Sequence, residues 1–480
     1  MSPPFCRAAL CRLRLHALGM ALLALSQGLA HADWPTHRGD SQRTGVAGGE
    51  VGPKTPGILW VHLSREQYIA SPVPTDGVVF VSSLGAFNTA RFEALAAEPG
   101  ANRVVWSKAA PALKLPVVSA PAVANGKLVF GDGMHQTDGA ILHCCRATTG
   151  LDLWQFVVPG RLVHLEGGPT IADGKVYIGG GNAGVICVDL NRVTLDGREQ
   201  PLATVESALD AQWKALLVAY EAEKKKDPDF AVPPSTDSLP KPAPVRVWQQ
   251  GQDQWHVDAA LAVDAGRVYV ASAFLDDEKS GDRALLCLRA DDGSAQWKTP
   301  LKFNPWAGPT LTADLVLVGC SSIRFDPKLI RFGKGEIVAV RRSDGGAKWR
   351  RSIPGGVVSA IAVRGKTAVF TATDGKIRAV DVESGNDRWS YSAGAPFFAG
   401  VAATVDAVYA ADLKGIVHAL SLTDGRKLWT LDLATAPQVK SPGMVYGSPV
   451  VQSGRLYVAT CNLEEGAPDR QTAVVCIGEK

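Results

Sequence analysis

The residues with the most chemical potential in this chain are few and scattered. His256 lies in the segment Asp253-Gln254-Trp255-His256-Val257-Asp258, and His418 lies much further on. Either imidazole is a candidate acid–base group, because histidine changes charge near neutral pH. Aromatic groups interrupt an otherwise regular sequence at Trp255-His256, Asn304-Pro305-Trp306, Phe397-Phe398 and Met444-Val445-Tyr446. Gathered at one mouth of a funnel, they would bind a peptide or a flat ligand. Trp255, His256 and Trp306 are the ligand-binding candidates. Cys144-Cys145 is the one adjacent cysteine pair. Neighbouring residues of a strand point to opposite faces, so these two read as separate buried thiols rather than a redox pair. There is no HExxH, no CxxC, no Gly-x-Ser-x-Gly elbow and no P-loop. Zincin, structural-zinc, serine-hydrolase and nucleotide-binding chemistry therefore have no motif to stand on.

Those residues are embedded in a repeat. Eight of the twelve Trp occupy one slot: Trp60, Trp106, Trp154, Trp248, Trp297, Trp349, Trp389 and Trp429. The window ending at Trp389 begins at Ala379 and turns at Ser384-Gly385. The same spacing recurs in the windows ending at Trp154, Trp297, Trp349 and Trp429. Each reads strand, tight turn, strand, with Gly supplying the positive φ of the turn. Ahead of each window stands a stretch of small residues such as Ser71-Pro72, Ala120-Pro121, Gly168-Pro169 or Ser448-Pro449, and a β-rich segment follows it. Small residues suit inner strands crowded at the centre of a radial array. Four strands repeating every 40–52 residues, with one doubled gap before Trp248, predict an all-β, eight-bladed β-propeller of four-stranded antiparallel blades. Trp60 has no preceding third strand, and the terminal Ala473–Ile477 run has no following Trp strand. The N-terminal strand is therefore expected to complete the last blade and close the ring.

The doubled gap holds an insertion over 191–246. Leu202, Val205, Leu209, Trp213, Leu216 and Tyr220 recur at helical spacing and predict an amphipathic helix ending near Lys226. The Pro-rich run that follows is expected to be extended. At the other end, Arg7, Arg12 and Arg14 precede an apolar run and an Ala30-His31-Ala32 cleavage pattern, so residues 1–32 read as a signal peptide. The apolar run is too short to span a bilayer. An exported protein, periplasmic or extracellular, with its propeller over 33–480 and no integral membrane segment after cleavage is the expectation. The net charge of +3 falls near zero once three arginines leave with the signal, so no basic field exists for nucleic acid. Seven cysteines remain, an odd number that cannot pair fully within one chain.

The Ala-x-Asp-x-x-Ser/Thr-Gly-x-x-x-Trp windows resemble the tryptophan-docking motif of pyrroloquinoline quinone (PQQ) repeat propellers, and the resemblance covers nearly the whole chain after residue 32. That family includes quinoprotein alcohol dehydrogenases and non-catalytic propellers such as the outer-membrane assembly factor BamB. The resemblance implies two functions. In one the chain is a non-catalytic binding or assembly scaffold, a monomer with a protein or peptide partner at the propeller face. In the other it is a PQQ- and calcium-dependent dehydrogenase oxidising an alcohol or sugar. For the second, Asn182 resembles the calcium-binding position, and Asp258 or Asp253 resembles the catalytic base. The Glu that the family carries one blade before this Asn is missing from the region of Met134-His135-Gln136, and no CxxCH haem motif is present. The eroded site favours the scaffold.

Overall fold

A computed structural model describes residues 34–480 except 87–88, 101–102, 136, 324–328, 441–442 and 464–470. The expected signal peptide lies outside the described residues. Eight antiparallel sheets follow one another along the chain. Blade one is β2–β5 (residues 73–109), blade two β6–β9 (122–158) and blade three β10–β14 (170–250). Blades four to seven are β15–β18 (262–300), β19–β22 (309–353), β23–β26 (362–392) and β27–β30 (402–432). Blade eight joins β31–β33 (450–479) to β1 (Pro56–Ser64), which pairs antiparallel with β33 (Thr472–Glu479) from Pro56↔Glu479 to Ser64↔Thr472. The first strand thus completes the last blade, as the two partial repeats predict.

The repeated Trp slot is the seam between blades. Each indole N–H donates across to a backbone carbonyl of the next blade: Trp60 to Ala97 at 2.8 Å, Trp106 to Ala147 at 2.9 Å, Trp154 to Leu190 at 3.3 Å and Trp248 to Ala290 at 3.0 Å. The series continues with Trp297 to Arg342 at 3.1 Å, Trp349 to Val382 at 2.9 Å and Trp389 to Leu422 at 2.9 Å. It ends with Trp429 to Pro53 at 2.9 Å, just ahead of β1, so the seams close a full circle. A buried N–H must find an acceptor, and the outer hairpin carbonyl of the neighbour is the one within reach. The adjacent cysteines behave as strand residues. Cys144 packs into the core between blades two and three, and Cys145 into the core between blades one and two. Burial pushes the Cys145 thiol up to about 12.

In blade three the third strand, β12 (Val185–Leu195), runs on into a hairpin with β13 (Arg198–Pro201) before helix α1 (Leu202–Lys226) begins. The helix lays Leu202, Val205 and Leu209 into the core of blades two and three. Burying three such side chains stabilises the docking by about 5 kcal/mol before entropy is charged against it. Arg146 clamps the helix by donating to Glu206 and Asp210 at 2.8 Å each. No helix of the described residues is long and apolar enough to cross a membrane.

The segment before β1 lies across one end of the ring. Its backbone carbonyls accept from inner strands of blades two, four, five, six and seven: Pro35 from Val123, Ser41 from Val263, Gln42 from Leu311, Thr44 from Val363 and Gly45 from Ala403. Arg43 is 1% exposed and spends its guanidinium on Leu261 O, Pro169 O, Thr170 and Thr36. This segment is a floor that stops the central channel.

Candidate functional site: a floored funnel with a histidine–carboxylate wall

Above the floor the channel opens as a cavity of about 190 Å³. Its walls are the small residues that precede the inner strands, among them Ser71, Ala120, Gly168, Ala260, Ala307 and Ser448. Any larger residue at these positions would fill the channel, which is the physical reason for the small stretches in the repeat. Trp306, Phe398 and Tyr446 line one side, with Phe398 and Tyr446 edge to face at 4.8 Å. His37 rises from the floor, and burial followed by the charges of Arg43 and Arg38 holds its imidazole neutral. Glu166 and Asp258 complete the lining, and no Lys or Arg is among the described lining residues.

Glu166 and Asp258 belong to a polar cluster built from three segments. His135 follows the second strand of blade two; His164 and Glu166 lie on the crossover into blade three; His256 and Asp258 lie on the crossover into blade four. Ring centroids stand 5.3 Å apart for His164 and His256, 5.5 Å for His135 and His164, and 6.0 Å for His135 and His256. His256 is fixed on all sides. Its N–H donates to Ser272 at 3.1 Å, its carbonyl accepts from Ala273 at 2.8 Å, and its Nδ1 is 2.6 Å from Asn182 Oδ1. Ser280 donates to the same Asn182 oxygen at 2.8 Å. The other ring nitrogen, Nε2, faces Asp258 Oδ1 at 3.0 Å; burial lowers the His256 imidazole, but the Asp258 carboxylate beside it outweighs burial and raises it above its ordinary value. His164 lies 3.5 Å from the same Asp258 oxygen and 3.4 Å from Glu166, too far to be hydrogen-bonded well. Glu166 accepts from the His135 backbone N–H at 2.6 Å.

The electrostatics follow from crowding. Burial, against the pull of Asp258, drops His164 to about 4, so it is neutral at neutral pH. Burial, then the charge of Asp258, raises Glu166 to about 7. Perturbed groups converging in a cleft make it a candidate functional site. Glycines give the cluster its room. Gly181 has φ +55°, and a Cβ there would stand 3.0 Å from His164 Nε2 and 2.3 Å from the Leu162 carbonyl.

A family model described as the outer membrane protein assembly factor BamB matches residues 50–223 and 307–477. The chain belongs to this PQQ-repeat, BamB-type family. Polyvinylalcohol dehydrogenase from a Pseudomonas species is 23% identical over 381 residues, covering 65% of this chain and 55% of that protein. The chain therefore spans about half the length of that relative. Among solved structures, BamB from Moraxella catarrhalis matches with a TM-score of 0.56 and 12% identity, over 88% of this chain and 97% of that one. Quinohemoprotein alcohol dehydrogenase from Comamonas testosteroni matches with a TM-score of 0.60 and 14% identity, over 96% of this chain and 82% of that one. Both likenesses are of fold.

Against this family background the sequence-predicted residues separate into two groups. Asn182, His256 and Asp258 are brought together, with His256 as the link, and Trp306 lines the funnel. Asp253 and Trp255 are elsewhere. Asp253 lines a separate groove with Asn182 and Arg246, and the Trp255 ring packs over Gly251. His418 is buried against Asp412 at 3.1 Å, and Asp412 also accepts from the backbone of Lys414 and Ile416. Blade two repeats the arrangement with His143 and Asp132 at 2.9 Å, so this pair is a device for holding a hairpin. Sequence reading missed His135, His164 and Glu166 as a set. The available signal was the Gly179-Gly180-Gly181 run, whose first and last members have no space for a side chain beside Val257 and His164.

Proposed function

We propose that this chain is an exported, non-catalytic binding propeller, a scaffold whose floored funnel receives a segment of a protein or peptide partner. The charge of the funnel carries this reading. PQQ is a flat tricarboxylate and needs cationic partners, but the lining offers Glu166 and Asp258 and no Lys or Arg. Calcium fits no better. Asn182 Oδ1 is occupied by His256 and Ser280, and imidazole nitrogens crowd the remaining carboxylates. The quinone and calcium are therefore given no role here. A lining with two acids at one side and Trp306, Phe398 and Tyr446 at the other suits a basic or aromatic side chain of a guest segment.

A second reading, the dehydrogenase, is supported by one observation: His256 lies between Asn182 and Asp258, within 2.6 Å of the first and 3.0 Å of the second. Titration of the purified protein with PQQ and calcium, followed by dye-linked alcohol oxidation, separates the two. The scaffold reading expects no one-to-one binding at micromolar PQQ. Tight binding with turnover that disappears in Asp258→Asn would overturn it.

A further inference from the structure

We propose that His135, His164 and His256, joined by Asp258, bind one first-row transition metal ion of the zinc class on the wall of the funnel. One ligand atom from each histidine lies within 4.8 Å of the others. An ion at the centre of a triangle with that side would be about 2.8 Å from each corner, so a movement of ~0.7 Å per side chain reaches ordinary Zn–N bond length. Asp258 Oδ1 already lies 3.0 Å from His256 Nε2 and 3.5 Å from a nitrogen of His164, which completes a four-donor set.

Beyond one another, and Glu278 at 3.4 Å from His135 Nε2, the atoms that would meet the ion have few partners. Both ring nitrogens of His164, Nε2 of His256 and Oδ1 of Asp258 are buried without a hydrogen bond. Each such orphan destabilises the fold when nothing satisfies it. A proton shared between His256 and Asp258 would satisfy one pair and leave His164 unserved. A single cation takes one nitrogen of each imidazole and Asp258 Oδ1, and leaves the other His164 nitrogen facing Glu166 at 3.4 Å.

The surroundings are those of a ligand set. Asn182, held by Ser280, engages His256 Nδ1 and leaves Nε2 as the nitrogen turned toward the cluster. Gly181 clears the space beside His164. His135 has a side chain 42% exposed, so the cluster has an entry path from solvent. Three imidazoles and one carboxylate select a nitrogen-seeking d-block ion over calcium or magnesium. Asp258 and Glu166 face both the cluster and the cavity, so the ion would be within reach of a guest in the funnel. The site is separable from the scaffold and dehydrogenase readings, because neither uses His135 or His164.

The test is titration of untagged, chelator-stripped protein with Zn²⁺ and Co²⁺ by calorimetry, with the visible spectrum of the Co²⁺ form as a second readout. One ion per chain is expected, with four-coordinate Co²⁺ absorption that millimolar Ca²⁺ leaves unchanged. Affinity should fall about 100-fold in His164→Ala and about 10-fold in His135→Ala. His135 is partly exposed, so its variant carries the test if His164→Ala fails to fold. Absent or non-stoichiometric binding, displacement by Ca²⁺, or wild-type affinity in either folded variant overturns the proposal.

Discussion

Gly385 shows how tightly a single residue is specified here. Its φ is +71°, and a Cβ would meet the Trp349 indole at 2.8 Å. Gly150, Gly293, Gly345 and Gly425 stand in the same relation to Trp106, Trp248, Trp297 and Trp389. The turn glycine therefore serves its own hairpin and the Trp of the preceding blade together. Gly385→Ala is expected to destabilise the protein by about 1–3 kcal/mol through left-handed strain and displacement of the ring. Urea unfolding followed by Trp fluorescence measures it; an unchanged midpoint would refute the double constraint. This slot was legible in the sequence because one local geometry repeats eight times. The histidine cluster was not, because His135, His164 and His256 come from separate crossovers. Only the inward direction of neighbouring blades brings them within a few ångströms. Trp255 was misleading for the opposite reason: it is local to His256 but packs on Gly251, away from the cavity.

At the scale of elements, ion pairs tie the insertion to the ring where apolar contact thins out. Asp152, in the outer strand of blade two, is 3% exposed and lies 3.1 Å from both Lys108 of blade one and Lys241 of the segment after α1. Burial pushes its carboxyl up, but the charges of Lys108 and Lys241 outweigh burial and leave it below its ordinary value. A carboxylate depressed on folding contributes stability that is present above the unfolded value near 3.9 and lost as pH falls through the lower folded value. Asp152→Asn leaves the ammonium of Lys108, 7% exposed, without its counter-charge. A loss of about 3 kcal/mol at pH 7 is expected. The gap between wild type and variant should close as pH falls below about 4. Thermal melts at a series of pH values check this, and a gap that persists at low pH would remove Asp152 as the cause. The periodicity of Leu202, Val205 and Leu209 announced the helix, and its apolar face is the one that packs. The hairpin of β12 and β13 had its signal in Asp196-Gly197, whose φ values of +52° and +72° make a tight hairpin turn, but the pair falls inside what reads as a polar insertion.

For the whole molecule, the N-terminal region does two separable jobs. Residues 34–47 make the floor, through carbonyls that accept from five inner strands and through buried Arg43. β1 makes the closure, through its pairing with β33 and the Trp60 and Trp429 seams on either side of blade eight. A chain beginning after residue 47 keeps β1 and the Pro53 acceptor of Trp429, so the ring remains closed over an open floor. It should keep the oligomeric state of the parent chain and melt at a lower temperature. A chain beginning after residue 64 loses β1. β33 then presents a long, apolar, unpaired edge, with Ala473–Ile477 all buried in the intact ring. Such an edge recruits other chains, so this truncation should elute as aggregate while the chain beginning after residue 47 elutes with the parent. Size-exclusion chromatography with light scattering distinguishes them. A soluble monomer lacking β1 that melts with the parent chain would mean that the seven complete blades hold themselves, and that closure adds nothing to their stability.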